Sequence, residues 1–184
     1  MDNGASSYRR FLDGDDDGFV EIVRDYKDGL ILFLDSYVKN LSIAEDLAED
    51  SFVKLGTKKP HFSNKSSFKT WLYAIGRNVA VDYLRKESKH IEVPIDECVD
   101  LADRQTIENA YLQEENKIVI HQALGKLKSE YRQVLWLTYF EDLSNKETAK
   151  IMRKSVHNIE TLIYRARQSL KSELIKEGFT YEDI

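Results

Sequence analysis

Three stretches of the chain carry side chains whose types and spacing suit recognition rather than covalent chemistry. Between His61 and Lys86 (HFSNKSSFKTWLYAIGRNVAVDYLRK) aromatic residues alternate with cations: Phe62, Phe68, Trp71, Tyr73 and Tyr83 against Lys65, Lys69, Arg77, Arg85 and Lys86. Cations track a phosphate backbone and rings hold unstacked bases, each stacked base being worth roughly 1–3 kcal/mol, so this pattern suits a single nucleic-acid strand. A second stretch, from Ser155 to Gln168, sets His157, Asn158, Glu160, Thr161, Tyr164, Arg165, Arg167 and Gln168 between regularly spaced apolar residues. Such a polar, partly cationic helix face suits duplex DNA. The third is acidic: AEDLAEDSFVKL, Ala44 to Leu55, offers Asp46, Glu49 and Asp50 beside Phe52. On charge alone it reads as a solvated face before it reads as a docking surface.

Other chemistries lack their residues. There is no Gly-rich phosphate loop, nucleophile elbow or paired-histidine metal motif. Cys98 stands alone, and His61, His90, His121 and His157 share no ligand spacing with it or with one another. Asp13, Asp15, Asp17 and Gly18 match the opening of a calcium loop, but its twelfth position is Arg24, not the required glutamate. These acids read as the favoured charge at a helix N-terminus. The expectation is a non-enzyme without metal or cofactor.

The net charge of −5 argues against a nucleic-acid partner only if it is spread evenly. It is not. Residues 1–53 carry about −8, whereas residues 54–89 hold nine Lys/Arg against Asp82 and Glu87, about +7. Residues 90–115 return to about −7, and 116–184 to about +3. The two cationic segments coincide with the two stretches singled out for nucleic acid.

The elements that must position these residues are helices, because every periodic segment steps by threes and fours and none alternates. Phe19, Ile22, Val23, Tyr26, Leu30, Phe33, Leu34, Tyr37, Val38 and Leu41 predict one long helix, capped by Asp16 or Asp17. Ser42 with Glu45 predicts a capping box for a second, which Gly56 stops. After a Lys/Ser/Asn-rich loop with Pro60, Ser66 or Ser67 can cap a third, buried through Phe68, Trp71, Leu72, Ile75, Val79 and Tyr83. Trp71 is assigned to this core. Residues 88–103 have a proline, many acids and no period, as a linker does. Helices over about 104–127, 130–140, 145–152 and 156–176 follow, the last two capped by Ser144 (boxed with Glu147) and Ser155. A short helix, a tight turn and a longer helix with a polar leading end make a helix-turn-helix, and periodicity alone also allows a helical hairpin in an interaction bundle.

The segment LSNKETAKIMRKSVHNIETLIYRARQSL, Leu143 to Leu170, resembles the promoter-reading helix-turn-helix of bacterial sigma factors of the extracytoplasmic-function group. It departs from that pattern at Arg153, where a turn glycine is usual, and at Glu160 and Leu162, where basic residues are common. AEDLAEDSFVKL is similar to the same family's polymerase-binding helix, with Glu49 in place of the usual glutamine, and His61 to Lys86 to its promoter-melting segment. The order of the three motifs across about 150 residues is that of the smallest sigma factors.

The resemblance implies an all-α protein of two small helical domains: a three-helix domain over 1–87, a flexible acidic linker over 88–105 and a helix-turn-helix domain over 106–184. Asp46, Glu49, Asp50 and Phe52 would dock on the clamp coiled coil of the largest catalytic subunit of core RNA polymerase, with a second contact at its flap region. Phe62, Ser63, Asn64, Lys65 and Ser66 would capture a flipped promoter base. Lys69, Tyr73, Arg77, Asn78 and Arg85 would lie along that strand. Ser155, His157, Asn158, Glu160, Thr161, Tyr164, Arg165 and Arg167 would meet duplex promoter DNA. An anti-sigma factor is a further partner that the family suggests.

No run approaches the roughly 20 apolar residues of a membrane span, and the polar start from Met1 to Arg10 lacks a secretory signal, so the expected compartment is the bacterial cytoplasm. An operator-binding regulator acting as a dimer is the main alternative, and a protein-binding helical adaptor a third.

Overall fold

The structure, a computed structural model, describes residues 3–90 and 115–176. Among these every regular element is helical, and the helices form two compact units. The first contains α1 (Asn3–Leu12), α2 (Asp16–Val38), α3 (Leu41–Lys58) and α4 (Phe68–His90). The second contains α5 (Glu115–Gly125), α6 (Ser129–Leu135) with a wide π turn over Trp136–Phe140, α7 (Asn145–Met152) and α8 (Val156–Lys176). No described helix is long and apolar enough to cross a membrane.

The first unit has four helices where periodicity predicted three. The buried residues of α1 are Gly4, Ser7, Tyr8 and Phe11, a regular i, i+3, i+4, i+7 stripe. Half of it is Gly and Ser, so the segment looks merely polar in sequence. Small residues on both sides let α1 lie close on its neighbours: a Cβ added to Gly4 would sit 2.5 Å from the Phe68 ring, and one added to Gly18 of α2 would sit 2.3 Å from the Ser7 carbonyl oxygen. α2 is the hub. It packs against all three other helices, and its residues from Leu30 to Ser36 are buried without interruption.

Three predicted boundaries shift. Asp15, not Asp16 or Asp17, caps α2, its carboxylate accepting from the Asp17 N–H at 3.1 Å. α2 ends at Val38, where Lys39 turns left-handed, and the cap of α3 is Asn40, which accepts from the Ile43 N–H at 3.1 Å. Ser42 therefore lies inside the first turn of α3 and makes no capping box with Glu45. Gly56 does not stop α3. The helix continues to Lys58 and ends where Lys59 turns left-handed, its N–H donating to the Leu55 carbonyl, while Gly56 packs under the Phe19 ring, close enough that a Cβ would meet it at 3.3 Å.

α4 runs to His90, so residues 88–90, expected in the linker, are helical. The rest of that linker and the first part of the helix predicted over 104–127 lie outside the described residues.

Candidate nucleic-acid interface

In the second unit, short-range hydrogen bonds set the helix-turn-helix. Ser144 caps α7 by accepting from the Glu147 N–H at 3.3 Å, while the Glu147 carboxylate accepts from the Ser144 N–H at 3.1 Å, the predicted capping box. Arg153 then takes the left-handed conformation (φ 53°), where glycine would be the easier residue. Its neighbour Lys154 pairs with Glu130 at 2.8 Å, tying the turn to α6. Ser155 caps α8 as predicted, accepting from the Asn158 N–H at 3.1 Å.

α8 buries Ile159, Ala166 and Leu174 and half-buries Ile163 and Leu170. Its outer face presents His157, Asn158, Glu160, Tyr164, Arg165 and Gln168 to solvent. Thr161 is half-exposed and donates its hydroxyl proton to the His157 carbonyl at 3.1 Å, which leaves its lone pairs outward. The Ser155 hydroxyl oxygen serves the helix as its cap, so its part is to orient the leading end. Arg165 and Arg167 do not form one cationic edge, because residues two apart on a helix point about 200° apart. Arg167 instead joins Lys171 around an apolar cavity of about 240 Å³ whose walls include Ile120, Leu124, Leu135, Phe140 and Leu170. Beside it Trp136 and Phe140 stack with centroids 4.5 Å apart, and His121 meets both rings edge-on.

In the first unit, the loop between α3 and α4 exposes His61, Ser63, Asn64 and Lys65, with Asn64 left-handed at φ 55°. Phe62 and Ser66 are half-buried, the Phe62 ring lying 5.0 Å from Trp71 and 5.7 Å from Phe68. Ser67 accepts from the Thr70 N–H at 3.3 Å and so starts α4, one of the two caps predicted there. Lys69, Arg77 and Asn78 are half-exposed along α4 and Arg85 is exposed.

Tyr73 corrects the expectation that placed it along a strand. It is 0% exposed, with its ring 5.3 Å from Phe33 in the core, so no base can reach it. Trp71, assigned to the core, is half-buried in a cluster with Tyr8, Phe62 and Phe68.

On α3, Asp46, Glu49 and Asp50 are exposed. Phe52 is only 6% exposed and forms, with Phe19, Val23 and Ala48, the lining of an apolar groove of about 430 Å³ between α2 and α3. Its neighbour Val53, 58% exposed at the groove's edge, is the apolar side chain that sequence reasoning missed. The signal in the sequence is a valine that directly follows the acidic run and Phe52.

Residues 22–90 match the family model described as Sigma-70 region 2, and residues 117–170 that of Sigma-70, region 4. The chain is 32% identical over 152 residues to the ECF RNA polymerase sigma factor SigM of Bacillus subtilis (strain 168), spanning 83% of this chain and 92% of that protein. It is also 32% identical over 170 residues to SigW of the same organism, spanning 88% and 91%. Among solved structures, the sigma factor RpoE of Bartonella quintana, crystallised with the anti-sigma factor NepR, matches with a TM-score of 0.67 at 24% identity, covering 85% of this chain and 96% of that one.

Proposed function

Because the chain belongs to the extracytoplasmic-function sigma factors, which direct RNA polymerase to promoters and catalyse nothing themselves, we propose that its two units divide that work along the surfaces described above. The observation that carries the reading is the placement of opposite charges. An exposed acidic face on α3 precedes a cation-lined loop and helix in one unit, and a polar-faced α8 capped by Ser155 stands in the other.

In this reading Asp46, Glu49 and Asp50 dock on the polymerase clamp, with Val53 as the apolar contact and Phe52 holding the groove from beneath. Ser63, Asn64 and Lys65 receive a flipped base, and Lys69, Arg77, Asn78 and Arg85 follow its strand. His157, Asn158, Glu160 and Thr161 face base edges of the duplex element, Glu160 being able to accept from a cytosine amino group. Arg165 contacts phosphate, and the cavity beside Arg167 receives the flap. The acidic stretch after His90 connects the two units, the protein works in the bacterial cytoplasm, and an anti-sigma factor would compete with polymerase for α3.

The test is transcription with purified core enzyme on host DNA. Promoter-specific transcripts that require the added chain are expected, and their absence on every fragment would refute these residue roles. Asp50→Lys should reduce polymerase affinity at least tenfold with unchanged helicity, the cost of a like-charge contact. Phe52→Ala is unsuited to this purpose because it opens the core.

A further inference from the structure

The loop that precedes α4 is held from a helix far upstream in sequence. The Tyr8 hydroxyl donates to the Pro60 carbonyl at 2.8 Å, across 52 residues of chain. The Tyr8 ring lies 5.5 Å from Phe68 and 5.3 Å from Trp71, the two rings that also flank Phe62. One residue before Pro60, the Lys59 ammonium sits 4.3 Å above the Phe11 ring of the same helix. α1 thus grips Lys59 and Pro60 directly and Phe62 through shared neighbours. Immediately beyond, Ser63, Asn64 and Lys65 are exposed.

We propose that Tyr8 is a positioning residue for promoter opening, its hydroxyl and ring setting the loop from Lys59 to Ser67 in the shape that receives a flipped base. This rests on the reading of that loop given above. Tyr8 is 1% exposed, and burial pushes its hydroxyl up to about 12, so it stays a donor at every working pH. Pro60 has no N–H, which leaves its carbonyl as the only backbone handle at that position. The seat is built to close tolerance: a Cβ on Gly4 would lie 2.5 Å from both the Phe68 ring and the Tyr26 hydroxyl. Phenylalanine at position 8 would fill the same space while leaving the Pro60 carbonyl without this donor. The hydroxyl therefore has a task that packing alone does not require.

The experiment uses holoenzyme assembled from the full chain and core polymerase, on the promoter most enriched among host DNA bound by that holoenzyme. Strand opening is followed by permanganate reactivity and the loop by amide exchange. For Tyr8→Phe, polymerase affinity and binding to the unmelted promoter should match the wild type. Opening should be roughly three- to tenfold slower, the effect of one buried hydrogen bond, and amides between His61 and Ser67 should exchange faster. On a template with an abasic site at the captured position the two proteins should open DNA equally, a non-additivity that general destabilisation would not produce.

Unchanged opening by Tyr8→Phe, or a matching loss of polymerase affinity, would overturn the positioning role. Asn64→Ala and Lys65→Ala separate the two levels. If they slow opening while Tyr8→Phe does not, only the role of Tyr8 falls; if none of the three has an effect, the reading of the loop falls with it.

Discussion

The helix-turn-helix and the loop before α4 are built by opposite means. In the former both caps are hydrogen bonds that span three residues, Ser144 with Glu147 and Ser155 with Asn158, and an ion pair, Lys154 with Glu130, reaches the turn from outside the motif. In the latter the fixing bond spans 52 residues, from Tyr8 to Pro60, and the surrounding rings come from α1, the loop and α4. A surface of the first kind keeps its shape while its own helices persist. A surface of the second kind depends on the docking of a separate helix, so perturbations remote from the loop should reach it.

The largest expected effect comes from Phe68, fully buried where Tyr8, Tyr26, Phe62 and Trp71 meet. Phe68→Ala should cost about 3–5 kcal/mol, the usual loss for truncating a buried ring. Trp71 reports the first unit and Trp136 the second, so a Trp136→Phe background isolates the transition of interest in urea. The loop should lose its order while α8 retains its duplex affinity. Equal loss of duplex affinity would break the comparison, by showing that the helix-turn-helix also depends on remote packing.

The mirror change is Ser144→Ala, which removes one capping box and nothing remote. A loss of about 1 kcal/mol is expected, confined to amide protection in α7 and the turn. Faster exchange in the loop from His61 to Ser67 would contradict that confinement.

The same division explains what could be read from sequence. Both caps of the helix-turn-helix were legible because their donors and acceptors lie within one turn, and the buried stripe of α8 because Ile159, Ala166 and Leu174 are spaced by the helical period. The helix α1 was hidden because its contact face uses Gly4 and Ser7, whose small size matters only against a neighbour that the sequence does not display. Tyr73 was misplaced for a related reason. An amphipathic ring between Lys69 and Arg77 fits a strand contact or a core position equally well, and the arrival of Phe33 decides it. Asn40 is hidden behind a better-formed motif two residues later, because Ser42 with Glu45 spells a complete capping box whereas Asn40 offers a lone acceptor.

Smaller still should be the effect of Arg165→Ala on the exposed face of α8. If Arg165 meets a phosphate, its removal should weaken binding to all duplexes alike and flatten the slope of log affinity against log salt by about 0.9. Thr161→Ala should instead redistribute base preference across a site library with the slope intact. A sequence-selective change for Arg165→Ala would rotate the docking of α8, and would show that a locally built surface can still be misread in its register.

The slightest effect expected separates the two anchors by chemistry rather than by distance. α1 is tied to α2 through Glu21, whose carboxylate accepts from the Ser7 hydroxyl at 2.7 Å and pairs with Arg10 at 2.9 Å. The Ser7 hydrogen bond first, and Arg10 next, hold Glu21 below its ordinary value of 4.5, with a lesser pull from Arg24. A lowered carboxylate stabilises the folded form fully above that ordinary value and loses this contribution as pH falls through the folded one. Because these groups are solvent-accessible, the gain is small and screened by salt. The Ser155 cap has no titrating partner in its hydrogen bond to Asn158. Amide exchange measured in steps from pH 6 to pH 3 should therefore show α1 losing protection before the first turn of α8, once intrinsic rates are corrected for pH. Glu21→Gln should remove most of that difference, since a neutral amide keeps an acceptor for Ser7 but no charge for Arg10. If α1 and α8 opened together at every pH in the wild type, the carboxylate would not be what sets them apart, and the long-range anchor would rest on ring packing and the Tyr8 hydroxyl alone.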